Sequence, residues 1–195
     1  MPDLTGDAER SRTAKIALRS QLLTARRQAP SSAATLLQDQ VLAFVRSEHP
    51  STIAAYVPIG TEPGGPGLIT ALAAEARVLL PVLRPDNDLD WAEYSGSLES
   101  GPHGLLSPPG PRLGVSGIGE AGLVLVPALA VDRRGLRLGR GGGSYDRALS
   151  RVSSGALVVA LLHDGELLAE VPAEPHDRPV HGVITPHGGL FLTRK

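Results

Sequence analysis

The chain has 195 residues, of which 42% are hydrophobic and 20% are charged, and it contains no cysteine. Such a chain can bury a full hydrophobic core, and we expect a single domain over residues 1–195. The formal net charge of −1 and the aromatic content of 3% disfavour a nucleic-acid partner, because nucleic-acid binding depends on basic excess and on stacking platforms. Without thiols, any metal ion has to be held by oxygen or imidazole ligands.

No apolar run in the sequence approaches the ~18 residues that a membrane helix needs. Residues 1–12 contain acidic side chains and lack the apolar segment of a signal peptide. We therefore expect a cytoplasmic protein without a membrane partner, and we expect it to be a monomer.

Two helices are predicted at the beginning of the chain. Apolar residues recur at roughly helical spacing from Thr13 to Arg27, and Pro30 ends this run. A second helix follows Ser32 and stops at Pro50. Apolar side chains share one face of this second segment, which is typical of a helix that packs on a core.

Strands and helices alternate after these two helices. Residues 52–57 and 77–83 are predicted to be buried strands, and the helix predicted at 67–76 between them completes a βαβ unit. Further strands are predicted at 90–94, 123–127, 156–162, 183–185 and 190–193, with a helix at 145–151. This alternation indicates a three-layer α/β/α fold with a largely parallel mixed sheet.

Residues 95–119 are rich in glycine, proline and serine and show no hydrophobic periodicity. We expect a long loop here. A loop of this length is uncommon in a compact domain unless it is a lid or a mobile binding element, and the functional and disordered interpretations both stay open.

The most informative segment spans residues 131–147, which are glycine-rich and lie between a predicted buried strand and a predicted helix. Its glycines let the backbone approach a ligand, and a helix beginning near Ser144 adds a positive dipole end, which suits an anion. Arg137 and Arg140 bracket the loop and could neutralise phosphate oxygens, while Asp146 could supply an oxygen ligand to Mg²⁺. Glycines also cluster in flexible surface turns, so glycine content alone does not decide between the two.

Two common phosphate-binding motifs are absent from this segment. The GxxxxGK[ST] motif requires a lysine, which the segment lacks, and GxGxxG fails because Ser144 occupies the last position. The segment is therefore neither a Walker loop nor a dinucleotide fingerprint.

The residues of this segment nevertheless resemble the signature of 5-formyltetrahydrofolate cyclo-ligases, also called 5,10-methenyltetrahydrofolate synthetases. The matching positions are 126–127, 132, 135, 137–139 and 141–147. The resemblance continues at 15–19, 56–62, 80–81 and 176–180, in the order of the family and over nearly the whole chain. It implies a fold similar to that of sugar-phosphate isomerases and CoA transferases.

The resemblance also implies roles for individual residues. Lys15 and Arg19 are expected to contact the phosphates of ATP, and their spacing of four places them on one helix face. The remaining ATP-binding positions are expected to be Arg137, Gly139, Arg140, Gly141, Gly142, Gly143, Ser144 and Tyr145. Arg137, Tyr145 and Asp146 are the expected catalytic residues.

The same resemblance places the folate and the metal. Glu62 is expected to bind the reduced pterin, because a carboxylate suits its donor-rich edge. The folate-binding positions are expected to be Val57, Glu62, Arg140, Gly142, Gly143, Ser144 and Tyr145. Asp146 and Asp177 are expected to hold Mg²⁺. Among the six histidines, His163 and His176 lie nearest to the motif segments, and neither is expected to be catalytic.

Four positions depart from the family pattern. Ser144 replaces a tyrosine that could have stacked on substrate, His181 stands where an aspartate is frequent, Ser107 replaces an acid before proline, and Gly65 replaces a threonine. These changes bear on substrate affinity more than on reaction type, because the glycines of the loop, Arg137 and Asp146 are intact.

The implied activity is the ATP- and Mg²⁺-dependent conversion of 5-formyltetrahydrofolate into 5,10-methenyltetrahydrofolate, ADP and phosphate. In this reaction the formyl oxygen is phosphorylated and N10 closes the ring. One alternative is a non-catalytic folate- or nucleotide-binding homologue, which Ser144 and the altered acids make plausible. Another is a sugar-phosphate or CoA-type enzyme on the same scaffold, which would not need ATP.

Overall fold

The structure is a computed structural model that describes residues 4–28, 30, 32–174 and 177–193, so His176 lies outside the described residues. Its helices are α1 (Leu4–Arg26), α2 (Ser32–Glu48), α3 (Leu68–Ala73) and α4 (Ser144–Leu149), with short 3₁₀ helices η1 (Pro102–Gly104) and η2 (Gly117–Glu120). The four helices predicted from the sequence are confirmed. The first of them starts earlier than its periodicity indicates, at Leu4 rather than Thr13.

The strands follow in chain order as β1 (Thr52–Ala54), β2 (Arg77–Leu83), β3 (Leu89–Glu93), β4 (Glu99–Ser100), β5 (Leu106–Ser107), β6 (Leu123–Pro127), β7 (Ala130–Asp132), β8 (Arg137–Leu138), β9 (Leu157–Leu161), β10 (Leu167–Leu168), β11 (Gly182–Thr185) and β12 (Gly189–Leu192). Seven of them form one sheet in the order β12-β11-β9-β6-β1-β2-β3. Its inner strands are parallel, while β3 and β12 pair antiparallel at the two edges. The predicted largely parallel mixed sheet is therefore confirmed.

The two faces of this sheet carry different helices. Leu37 and Val41 of α2 and Leu72 of α3 join one buried cluster, whereas Ile118 of η2 and Ala148 of α4 join a cluster formed by residues of the opposite parity, such as Ala54. Because side chains alternate across a strand, these clusters lie on opposite faces. The layers are thus helix, sheet and helix, as predicted.

The strand order reverses between β1 and β6. From β1 the chain passes through α3 to β2 on one side, and from β6 it passes through α4 to β9 on the other. Doubly wound sheets bind ligands beyond the carboxyl ends of the strands at such a reversal. The fold therefore points to the ends of β1 and β6 as the place for a site.

Helix α1 packs away from the central sheet. Its Leu22 is buried with Leu129, Leu138 and Val171, beside a small sheet of order β10-β7-β8. This packing leaves another stripe of α1 to face the edge of the central sheet where the parallel strands end. Among the described helices, none combines the length and the apolar content that crossing a bilayer requires.

Two sequence-based predictions need correction, and one small sheet was not predicted. The first strand ends at Ala54 and does not extend to residue 57. Residues 95–119 do not form a structureless loop, because β4 and β5 pair as an antiparallel hairpin, η1 lies within this range and η2 begins in it. The small sheet of β7, β8 and β10 was not predicted, since strands of two or three residues are too short to show an alternating pattern.

Candidate active site

A cavity of about 660 Å³ opens where the parallel strands β1, β2 and β6 end. It is bounded by the loops after β1 and β6, by α1, by the glycine-rich segment and by the hairpin of β4 and β5. Every site residue predicted from the sequence lines it, namely Lys15, Arg19, Val57, Glu62, Arg137, Gly139, Arg140, Gly141, Gly142, Gly143, Ser144, Tyr145, Asp146 and Asp177. The fold thus brings together residues that are more than 150 positions apart.

Arg137 lies at the base of the glycine-rich loop, in β8. Its Nη2 donates to Asp146 Oδ1 at 2.7 Å, and Asp146 belongs to the first turn of α4. The ring centre of Tyr145 lies 5.9 Å from Arg137 Cζ. Arg137 Nε is buried without a hydrogen-bond partner among the described residues, and other atoms of the residue line the cavity.

The glycine-rich loop has a backbone that few other residues adopt. Gly141 and Gly143 have φ angles of +105° and +68°, in the region that side chains disfavour. Arg19 of α1 donates from Nε to the carbonyl oxygen of Gly139 at 2.9 Å, which docks the helix on the loop. The loop is therefore held between α1 and α4 rather than projecting freely.

Lys15 is buried between two carboxylates. Its Nζ lies 2.8 Å from Asp177 Oδ2 and 3.1 Å from Glu174 Oε1, and the residue is only 5% exposed. Asp177, predicted as a metal ligand, is thus ion-paired to the lysine predicted to bind phosphate. Lys15, Glu174 and Asp177 therefore form one charged cluster at the cavity.

Glu62 follows β1 and faces the glycine-rich loop. Its Oε1 pairs with Arg140 Nε at 3.0 Å, while its Oε2 accepts a hydrogen bond from the backbone N–H of Ile59 at 3.1 Å. Burial, followed by the nearby Glu62 charge, raises the pKa of the Tyr145 phenol. Tyr145 therefore remains a neutral hydroxyl at physiological pH and can donate a hydrogen bond in the cavity.

The carboxylates suit a magnesium ion that arrives with a nucleotide. Among the residues that the structure describes, no three His, Asp or Glu side chains gather into a cage that could hold a metal alone. Mg²⁺ commonly uses one or two carboxylates and completes its shell with phosphate oxygens and water. Asp146 and Asp177 line the same cavity and supply the hard oxygen donors that this mode needs.

Several lining residues were not predicted from the sequence. They include Arg12, Arg26, Glu174 and Leu106. Arg12 lies three residues before Lys15, and helical spacing could have indicated that both share a face. Glu174 and Leu106 carry no such local signal, because only the tertiary fold brings their segments to the cavity.

The departures from the family pattern lie at different distances from the cavity. Ser144 and Ser107 line it. His181 does not, and its Nδ1 accepts a hydrogen bond from the backbone N–H of Val158 at 3.0 Å. Position 181 therefore serves strand packing in this chain.

A doubly wound sheet with a cationic, glycine-lined cavity at its strand reversal defines an α/β enzyme that accepts an anionic small molecule. The model of the 5-formyltetrahydrofolate cyclo-ligase family matches residues 11–186. The chain belongs to this family of ligases, whose reaction forms 5,10-methenyltetrahydrofolate from 5-formyltetrahydrofolate with consumption of ATP.

Individual relatives agree with this assignment. The 5-formyltetrahydrofolate cyclo-ligase of Mycolicibacterium smegmatis is 50% identical over 150 residues, which cover 73% of this chain and 77% of that protein. The enzyme of the same name from Escherichia coli K12 is 32% identical over 69% of this chain and 78% of its own. The solved 5,10-methenyltetrahydrofolate synthetase of Aquifex aeolicus superimposes with a TM-score of 0.77 at 25% identity, covering 93% of each chain.

Proposed function

We propose that this cavity binds ATP and 5-formyltetrahydrofolate side by side and transfers the γ-phosphoryl group directly between them. The observation that carries the proposal is the 3.0 Å ion pair between Arg140 and Glu62. Arg140 belongs to the loop expected to receive phosphate, and Glu62 is the acid expected to receive the pterin. Contact between the two residues supports adjacent subsites, as in-line transfer requires.

The chemistry needs no protein nucleophile. The N5-formyl oxygen attacks the γ-phosphorus, the bond to the β–γ bridging oxygen breaks, and ADP leaves. N10 then attacks the activated formyl carbon, and phosphate departs with the former formyl oxygen and the N10 proton. The products are 5,10-methenyltetrahydrofolate, ADP and phosphate.

The residues of the chain act on charge and position. Arg137 brings the positive charge of its guanidinium to the phosphoryl group during transfer, and Lys15 and Arg19 add positive charge from α1. Tyr145, held neutral by burial, offers its hydroxyl as a hydrogen-bond donor. Mg²⁺, when bound through Asp146 and Asp177, would neutralise charge on the phosphates.

The test is an absorbance assay for the methenyl product with purified chain, 5-formyltetrahydrofolate, ATP and Mg²⁺. We expect product only when ATP and Mg²⁺ are both present, with one ADP and one phosphate released per product. Product formation without ATP would contradict the proposal. Tight folate or nucleotide binding without phosphate release would instead identify a non-catalytic homologue.

A further inference from the structure

His163 holds the loop that carries Glu62. The imidazole follows β9, and its Nε2 lies 3.0 Å from the carbonyl oxygen of Thr61, the residue just before Glu62. A carbonyl oxygen only accepts hydrogen bonds, so Nε2 must carry a hydrogen and donate it. This contact joins two segments that are 102 positions apart in the chain.

The other ring nitrogen makes no competing hydrogen bond among the residues that the structure describes. Nδ1 of His163 is buried and has no hydrogen-bond partner among the residues the structure describes. The imidazole therefore makes its hydrogen bond through Nε2, to the carbonyl oxygen of Thr61.

A buried network fixes the position of His163. Its backbone N–H donates to Glu166 Oε2 at 2.8 Å. Arg26 of α1 donates to both carboxylate oxygens of Glu166, at 2.6 and 2.8 Å. Arg26 also donates to the carbonyl oxygen of Ala128, which follows β6. Arg26 and Glu166 are 4% and 5% exposed, so the network is shielded from water and rigid.

Besides His163, two other groups anchor the loop near its tip: the Tyr56 hydroxyl donates to the Pro63 carbonyl oxygen at 2.6 Å, and Glu62 pairs with Arg140. Gly60 has a φ of +57°, and its substituent side faces open space. Two internal hydrogen bonds close the turn around Gly60. The Glu62 N–H donates to the Ile59 carbonyl oxygen at 3.0 Å, and the Ile59 N–H donates to Glu62 Oε2. Thr61 is exposed. The imidazole is thus a tether from this turn to the buried network.

We propose that His163 is a positioning residue, which orients Glu62 toward the folate by holding the carbonyl of Thr61. This inference rests on the proposed function, since it takes Glu62 as the carboxylate that receives the pterin. We expect the effect to fall on folate recognition, because His163 contacts the residue before Glu62 and is linked to the glycine-rich loop only through the ion pair of Glu62 with Arg140.

The experiment compares His163→Leu, which removes the donor at similar bulk, with His163→Gln, whose amide N–H reaches a position close to that of Nε2. We expect His163→Leu to raise the KM for 5-formyltetrahydrofolate about tenfold, the effect of one lost hydrogen bond, with the KM for ATP unchanged. His163→Gln should retain most of the affinity. The matched control is His187→Gln, since His187 is exposed and bonds Asp164, the neighbour of His163; it should behave as wild type.

Action through Glu62 is tested in a Glu62→Gln background. There His163→Leu should weaken folate binding no further, measured by calorimetry without ATP. If the KM values for ATP and folate rise together, if His163→Gln is as impaired as His163→Leu, or if the effects of His163 and Glu62 add, the inference is overturned. If His163→Leu does not fold, His163→Asn, whose amide is too short to reach Thr61, takes its place. A wild-type chain that forms no methenyl product contradicts the proposed function instead, so the two failures are distinct.

Discussion

Arg137 and Asp146 form a 2.7 Å ion pair that closes the base of the glycine-rich loop. The side chain of Arg137 is 4% exposed and that of Asp146 is 21% exposed. The carboxylate therefore contacts the buried cation and is also accessible from the cavity. The pair fixes the direction of the guanidinium and holds the first turn of α4 against β8. The two residues should therefore act as one unit in phosphoryl transfer.

Replacing either member should slow turnover far more than it weakens folate binding. We expect Asp146→Asn and Arg137→Ala each to lower kcat by roughly 10²-fold to 10³-fold, as loss of one charge-stabilising contact does. Because the residues act together, the double variant should be little slower than either single variant. Steady-state kinetics with calorimetric folate titration measures both quantities. Rate losses that multiply in the double variant would show that the pair does not act as a unit.

Lys15 should contribute to stability as well as to ATP binding, because it separates two partly buried carboxylates. Lys15→Met removes the ammonium that pairs with both Glu174 and Asp177, and we expect the free energy of unfolding to fall by about 3 kcal/mol. Adding Asp177→Asn should recover part of this loss by removing one of the charges. Urea unfolding measures the effect.

The control for Lys15 is Arg27→Met, since Arg27 is an exposed cation just beyond α1. It should leave the unfolding free energy unchanged. A Lys15→Met variant that Asp177→Asn destabilises further would show that charge repulsion is not the cause of the loss.

The strands of the central sheet were predictable because burial on both faces gives them continuous apolar runs. The bounds of β2 agree with its apolar run, whereas β7, β8 and β10 depend on pairing between distant segments. The hairpin of β4 and β5 was missed for the same reason, since its strands contain two residues each. The local sequence shows hydrophobic periodicity and turn residues, but it does not show which distant segments pair with each other.

The features of the candidate site likewise differ in whether the sequence alone predicts them. The glycine-rich loop was predictable because glycines and arginines are adjacent in the sequence and suit an anion. The ion pair of Lys15 with Asp177 joins residues that are 162 positions apart, and the contact of His163 with Thr61 also depends on tertiary placement. The residue types of the site could be predicted from the sequence, and the partners of each charged group could not.

Gly139→Ala should impair catalysis with little loss of stability. A Cβ at this position would lie 2.9 Å from Arg137 Nη1, so the guanidinium must move from the position in which it pairs with Asp146. The end of an arginine side chain moves easily, and we therefore expect a small change in melting temperature and a fall in kcat of roughly tenfold or more. Gly155→Ala is the matched control, because a Cβ there meets nothing within 4 Å. Equal activity of the two variants would contradict the close packing of Gly139 on Arg137.

The last prediction concerns acid stability, which should depend on the ion pair between Asp88 and Arg151. Arg151 Nη1 and Nη2 donate to Asp88 Oδ1 at 2.9 Å and Oδ2 at 2.7 Å. The hydrogen bonds from Arg151 lower the pKa of Asp88 below its usual value of about 3.9. A carboxyl whose pKa is lower in the folded state stabilises the fold above the unfolded pKa, and this contribution disappears as the pH falls through the folded pKa.

Arg151→Met should therefore destabilise the chain by about 1.5 kcal/mol at pH 7, and the difference from wild type should shrink toward zero as the pH falls through the lowered pKa of Asp88. Urea unfolding at a series of pH values between neutral and acid measures this dependence. Arg84→Met is the control in the same turn, since Arg84 and Asp86 are exposed and the pKa of Asp86 is lowered chiefly by the backbone N–H of Asp88. It should leave the pH profile unchanged. A stability difference for Arg151→Met that stays constant with pH would mean that Arg151 stabilises the fold by packing and not through the charge of Asp88.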